Sequence, residues 1–515
     1  MALVLMSWML NRGGARDTRD YFLAGGRIPA WLAAISVLAT TQSAATFLGV
    51  PDNGYRSDYS YMATNIGAVF AAMLVGKFFI PRFYAAGVST VYELLDVRYG
   101  RRAMRAAGLM FLVGRILAGG ARLYLAAIAV SMIIFLEVTP QGIIIASLVL
   151  ALASLVFSLH GGLRTVVWID LLQFIVYVSA AVAILVFILH RIPGSMPEIV
   201  HGLIHAPGGE NKLRVLDFSL KLDKPYSMLA VMTGILLLHL GNFALDQDTT
   251  QRLLACRDAR QGARGLYMSL MAIIPVTLVL IVIGSLLHVF YQRPELMHGE
   301  TGAAPGATSG YGNVTVLMYF ILSEVPAGLR GLVAAGIIAT AVGTTMSALN
   351  AMASVMVEDF YRPWRSARGK LDERHFVHAG RISNAIMAAA TLAMAVFSYY
   401  WQKYSALPLL DFVLGVMSFA YAGLLGIYLT AVFTRRGSER SALAALAVGF
   451  LVVLLMQGYV VDLLGLPQEI KRLAFPWQLC VGTAAAFVTC MAGSRKSAPL
   501  VARENTPLAI ELPLR

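Results

Sequence analysis

Hydroxyl and amide side chains crowd two apolar stretches. One is Ala39-Thr40-Thr41-Gln42-Ser43-Ala44-Ala45-Thr46; the other is Thr340-Ala341-Val342-Gly343-Thr344-Thr345-Met346-Ser347-Ala348-Leu349-Asn350. An unsatisfied polar group in hydrocarbon costs several kcal/mol, so these groups must face protein or a water-filled cavity. A helix interrupted at the first stretch exposes backbone carbonyls beside its hydroxyls, the hard oxygen set that a small cation takes. The plainer reading is that Ser and Thr bond back to the preceding turn and bend the helix. In the second stretch Thr340, Thr344 and Ser347 share one face by their i, i+4, i+7 spacing.

Ionisable residues in the same apolar surroundings need a reason, because each costs about 2.5–3.5 kcal/mol at a bilayer centre. Arg115 and Arg122 lie seven apart on one helix face, and Arg122 follows the small residues Ala118-Gly119-Gly120-Ala121. A guanidinium there binds a carboxylate through two parallel N–H groups, or else closes a structural ion pair. Asp170 reads as a cation ligand, a proton carrier or the partner of an arginine. His239 reads as a solute contact or as a satisfied buried histidine.

The elements that carry these residues follow from composition. Of 515 residues 58% are apolar and 13% charged, against about 25% charged in a soluble protein; the mean hydropathy is +0.70. The expected fold is an all-α membrane protein. Twelve apolar segments fall at residues 28–52, 61–84, 103–135, 141–158, 163–190, 226–245, 263–291, 329–357, 376–401, 407–433, 442–461 and 475–491. Residues 1–10 are apolar but too short to span; read as the end of a truncated first helix, they bring the total to about 13. The net charge of +13 does not point to nucleic acid, because Arg and Lys cluster in short loops. Those clusters are Arg98 to Arg105, Arg252 to Arg264, Arg362 to Arg374 and Arg435 to Arg440. The positive-inside rule makes these loops, and the C-terminus, cytoplasmic. Three cysteines give no disulfide framework, and no nucleophile–base pairing or metal-ligand spacing suggests an enzyme.

With that topology, residues 28–190 and 226–434 each hold five helices of opposite sense, an inverted repeat whose binding site lies at the repeat interface. The expected division adds a partial helix and cytoplasmic linker (1–27), an extracellular loop (191–225), two peripheral helices (435–493) and a cytoplasmic tail (494–515).

Four motifs in order carry a family resemblance. They are Asp20-Tyr21-Phe22-Leu23-Ala24-Gly25-Gly26-Arg27; Gly161-Gly162-Leu163-Arg164-Thr165-Val166-Val167-Trp168-Ile169-Asp170 with Gln173; Asp246-Gln247 with Gln251-Arg252; and Ala348-Leu349-Asn350-Ala351-Met352-Ala353 with Val357-Glu358-Asp359. From about Asp20 to Arg436 the chain resembles the solute:sodium symporter family, which includes proline, sialic acid, glucose and iodide carriers. The resemblance implies a five-plus-five inverted-repeat core with broken helices one and six.

It also implies site residues. The family's main sodium site falls at Ala39, Gln42, Thr340, Gly343 and Thr344; Gly343 stands where members usually carry Ser, and Thr345 is the neighbouring hydroxyl that would replace it in a locally rotated helix. A second cation site would use Asp170 and Ser347, with Met346 in place of a polar ligand. Solute-facing positions fall at Thr41, Ser43, Thr46, Tyr61 and Asn65, with Asn242 and Phe243 at an inner gate, and Arg122 near an arginine that holds a carboxylate in the sialic acid carriers. His239 joins this set from its place in the sixth segment.

The expected function is sodium-coupled symport of a small organic solute, one bearing a carboxylate, by alternating access. A proton-coupled or uncoupled carrier on the same fold is one alternative. A transporter-like membrane sensor is another, for which the short tail leaves no room. Expected partners are the solute, Na+ as coupling ion and the lipid bilayer of a plasma membrane, with no organic cofactor, nucleic acid or obligate protein partner.

Overall fold

The computed structural model describes residues 17–135, 139–206, 211–298, 315–369, 372–405 and 409–494. The partial helix expected at residues 1–10 and almost all of the tail lie outside them. Regular structure among the described residues is helical, apart from one β-bridge between Ile28 and Cys256. Nine described helices are long and apolar enough to cross a membrane. Two bent pairs each add a span, and the shorter apolar helix Phe475–Met491 completes the twelve expected segments.

The first span is the bent pair Ala30–Thr41 and Ala44–Arg56, turned by 65°. Gln42 (φ −87°, ψ 98°) and Ser43 (φ −105°, ψ 174°) are extended between the halves. The local cause is side-chain competition for the backbone. Thr40 Oγ1 donates to the Ser36 carbonyl at 2.7 Å, and Thr41 Oγ1 to the Leu38 carbonyl at 2.9 Å. The second half is held against the seventh span, Ala259–Gln292, with backbones almost touching. A Cβ on Gly284 would strike the Pro51 carbonyl, and one on Gly54 the Ile281 carbonyl, the close approach that small residues allow in membranes.

The sixth span, Met228–Leu245, is wound into π turns at Val231–Ile235 and Gly241–Leu245. It breaks at Asp246 (φ −86°, ψ 112°) before the helix resumes over Gln247–Leu254. Both expected interruptions are thus present. The fourth and fifth spans, Pro140–Leu159 and Gly162–Arg191, meet at Gly162, whose φ of +56° excludes a side chain. A Cβ there would also hit the Tyr21 carbonyl. The eighth span runs as unbroken α-helix over Ala327–Val355. It packs on the fourth and fifth spans and on the first half of the first.

Two loop arginines are not where the charge pattern put them. Arg252 is entirely buried, and Arg98 is 7% exposed with Nη2 donating to the Thr434 and Arg436 carbonyls. Loop arginines normally stay in water; these two have acceptors inside the fold instead.

Candidate solute and cation site

The break in the first span, midway along it, opens onto a cavity of about 110 Å³. All nine residues read as solute-facing line it: Thr41, Ser43 and Thr46 from the break, Tyr61 and Asn65 from the second span, Arg122 from the third, and His239, Asn242 and Phe243 from the sixth. His239 stacks on Phe243 with ring centroids 5.6 Å apart. Asn65 spends one amide N–H on the Met62 carbonyl at 3.0 Å. Leu238, Thr277 and Met417, which the sequence reading did not single out, complete parts of the wall. Thr277 is the one with a sequence signal, a hydroxyl in an apolar span, and it accepts from Gln42 Nε2 at 3.5 Å.

Two features make this cavity hospitable to an anion. The helix Ala44–Arg56 begins at its wall, which places the positive end of its dipole there. Arg122, on the same wall, contacts the Met417 sulfur at 3.4 Å, and no carboxylate among the described residues pairs with it. Arg115, two turns away, is a different case. Its Nη1 lies 3.0 Å from Asp246 Oδ2, its Nη2 binds Asp248, and Tyr421 donates to Asp246 Oδ2 at 2.7 Å. Arg115 is therefore the structural ion pair, and the acids come from the break in the sixth span.

A second, much smaller space of about 10 Å³ adjoins the other side of the break, room for one water-sized species. Ala39, Gln42 and Thr340, three of the five residues read as the main sodium site, line it with Gln173 and Tyr177. The Ser43 N–H, which would reach the Ala39 carbonyl in an unbroken helix, turns to Thr46 Oγ1 at 3.4 Å. The Thr46 N–H likewise turns from Gln42 to the Ser43 carbonyl at 3.0 Å. Both carbonyls are released from their helical donors, and such oxygens fit a monovalent cation. Thr344 lies one turn beyond Thr340, and its hydroxyl bonds the Thr340 carbonyl at 2.9 Å. Gly343 faces the Gln173 side chain. Gln42 lines both spaces, so whatever fixes its backbone is felt in each.

Asp170 and Ser347, read as a possible second cation site, do come together, but around a guanidinium. Arg252 Nη2 is 3.3 Å from Asp170 Oδ2 and also bonds Ser347. Its Nη1 is 2.7 Å from Asp248 Oδ1, and its Nε donates to Ser36 Oγ at 2.7 Å.

Where the first span runs into the second, two aromatic rings stand between the main cavity and a larger space among the described residues. The Tyr61 and Tyr226 rings meet edge to face at 5.1 Å, and Tyr226 donates to Asp411 at 2.7 Å. Beyond them lies a vestibule of about 420 Å³ lined by Asp52, Arg56, Asp58 and Arg214. On the opposite side stands the Arg115 and Arg252 network.

A polar cavity between broken membrane-spanning helices, with a small oxygen-lined space beside it, is the arrangement of a secondary transporter. The sequence profile of the sodium:solute symporter family matches residues 21–449, and the chain belongs to that family of sodium-coupled solute carriers. The sodium/sialic acid symporter of Proteus mirabilis is 28% identical over 448 residues, covering 84% of this chain and 83% of the relative. The human sodium/iodide cotransporter is 26% identical over 440 residues, covering 85% and 65%. A solved structure of a Na+-coupled sialic acid symporter, in a substrate-bound outward-open state, overlays with a TM-score of 0.78 at 24% identity. It covers 97% of this chain and 96% of the other. The fold is that of the inverted-repeat symporters.

Proposed function

We propose that the protein carries a small carboxylate-bearing solute across a plasma membrane together with Na+. The observation that carries this reading is Arg122, a half-buried guanidinium on the cavity wall with no carboxylate within ion-pair distance among the described residues, Asp246 acting on it only at longer range. A buried charge left unpaired is costly, and an incoming carboxylate supplies the missing partner with geometry that fits the fork. Thr46, Tyr61 and Asn65 orient the remainder of the solute, His239 and Phe243 offer it a stacked face, and Thr41, Ser43 and Asn242 complete the polar wall. That the Proteus mirabilis relative is a sialic acid symporter accords with a sugar acid as solute.

In this reading Ala39, Gln42, Thr340 and Thr344 hold the coupling ion, with Gly343 contributing backbone alone. One ion per cycle is expected, because Arg252 already neutralises Asp170 and the Met346 side chain offers no oxygen. The basic loops and the C-terminus lie in the cytoplasm, so the vestibule opens outward.

Uptake into proteoliposomes tests the reading. Labelled sialic acid, a monocarboxylate and glucose are offered with an inward sodium gradient, with a pH gradient, and with neither. Sodium-driven uptake of an acid is expected, with a Hill slope of about one in sodium. Uptake of glucose alone, or uptake driven by the pH gradient and indifferent to sodium, would overturn it.

A further inference from the structure

At position 343 the eighth span carries no side chain, yet the space beside it is filled. A Cβ added to Gly343 would collide with Cδ, Oε1 and Nε2 of Gln173, which are its three nearest atoms. The carboxamide of the fifth span therefore lies where a residue-343 side chain would begin. Gln173 is 3% exposed, and its Nε2 is buried with no acceptor among the described residues. It also lines the small space that holds Ala39, Gln42 and Thr340.

We infer that Gln173 is a ligand of the coupling cation, its side-chain carbonyl replacing the hydroxyl that Gly343 lacks. The inference rests on the sodium reading above and adds a residue to it. Burying the Nε2 donor without an acceptor costs about 1–3 kcal/mol, so the side chain's place beside Ala39, Gln42 and Thr340 has to be offset by what its oxygen does there. The oxygen end of that carboxamide is what suits a cation: Oε1 is a hard, neutral oxygen of the same kind as the Ala39 and Gln42 carbonyls, and it brings no charge that would bind the ion too tightly to release. The alternative source, Thr345, requires the eighth helix to rotate, and that helix is regular through this stretch. Gly343 and Gln173 form a matched pair. The glycine makes room for the amide, and the amide supplies the oxygen.

The pairing makes a rescue experiment decisive. The purified protein is melted over a range of NaCl, with choline chloride holding ionic strength constant, to obtain the sodium concentration giving half of the thermal shift. Sodium half-saturation of uptake is measured in parallel. Gln173→Leu should raise both values about tenfold, which is about 1.4 kcal/mol, while Thr345→Ala leaves them unchanged. Gly343→Ser alone should also bind sodium poorly, because it drives into Gln173. The double variant Gly343→Ser with Gln173→Ala restores a hydroxyl in the vacated space, and its sodium response should return to within about threefold of the parent. Wild-type sodium affinity in Gln173→Leu, or a double variant no better than Gln173→Ala alone, would overturn the assignment while leaving the sodium reading intact. A parent protein whose melting ignores sodium would remove both.

Discussion

Replacing Arg122 by lysine keeps a positive charge on the cavity wall and removes the planar fork. A carboxylate bound to the guanidinium takes two N–H bonds, and the ammonium, a compact charge on a flexible stem, satisfies one of them. A hydrogen bond to a charged group contributes about 1.5–3 kcal/mol, and 1.4 kcal/mol is about a factor of ten. Arg122→Lys should therefore raise the solute half-saturation roughly 10- to 150-fold. Arg122→Leu removes the charge as well. Losing one partner of a buried pair costs about 2–5 kcal/mol, so the loss grows to roughly 30- to 4,000-fold. Met417, which touches the guanidinium at 3.4 Å, makes no charged bond that would compensate. The assay compares an acid with its methyl ester as competitors of sodium-driven uptake in proteoliposomes. The parent should prefer the acid strongly, and Arg122→Leu should treat the two alike. Normal half-saturation in Arg122→Lys, or a parent that accepts ester and acid equally, would refute the carboxylate assignment.

Thr344→Ala should raise sodium half-saturation at least about tenfold, with solute affinity at saturating sodium nearly unchanged; sodium titration of uptake reads both. Arg115→Ala leaves Asp246 and Asp248 buried without that partner, a loss of about 3–5 kcal/mol, and should lower the thermal midpoint in detergent markedly, whereas the exposed Arg102→Ala should not. Glu93, which opens the short helix Glu93–Tyr99 between the second and third spans, is pushed by burial from 4.5 up to about 7, against the Ser89 and Thr90 N–H groups that lower it. Its contribution to stability is complete below the unfolded value and lost as pH rises through about 7. Melting points at about pH 5 and pH 8 should therefore differ more in the parent than in Glu93→Gln.

The spans were legible because hydropathy counts residues against a fixed bilayer thickness, and the break at Gln42 and Ser43 was legible because hydroxyls in lipid demand an explanation. The cavity wall followed from the family motifs, which carry register across helices. What escaped was pairing between distant segments. Arg252 belongs to a run of loop arginines by composition, yet the break at Asp246 folds that run inward until Asp170, Asp248 and Ser36 enclose the guanidinium. Arg115 and Arg122 share one face and one residue type. Only the placement of Asp246 separates the paired arginine from the open one, and that placement depends on a turn angle no periodicity encodes. Gln173 was noted as part of a motif, but its contact with Gly343 joins two helices 170 positions apart.

The two closures of the cavity are unequal in kind. Toward the vestibule stand two aromatic rings and one hydroxyl–carboxylate bond; toward the other face, Arg115 and Arg252 bind residues of the first, fifth, sixth and eighth spans, and Tyr421 of the tenth joins them through Asp246. Displacing the rings takes side-chain rotation and the loss of one hydrogen bond, whereas parting desolvated ions requires whole helices to move together. A carrier built this way resists leakage. Thermal agitation admits solute and ion to the cavity easily, but a stray opening of the far wall would require several charges to lose their partners at once, and the gradient that drives the cycle is conserved between turnovers.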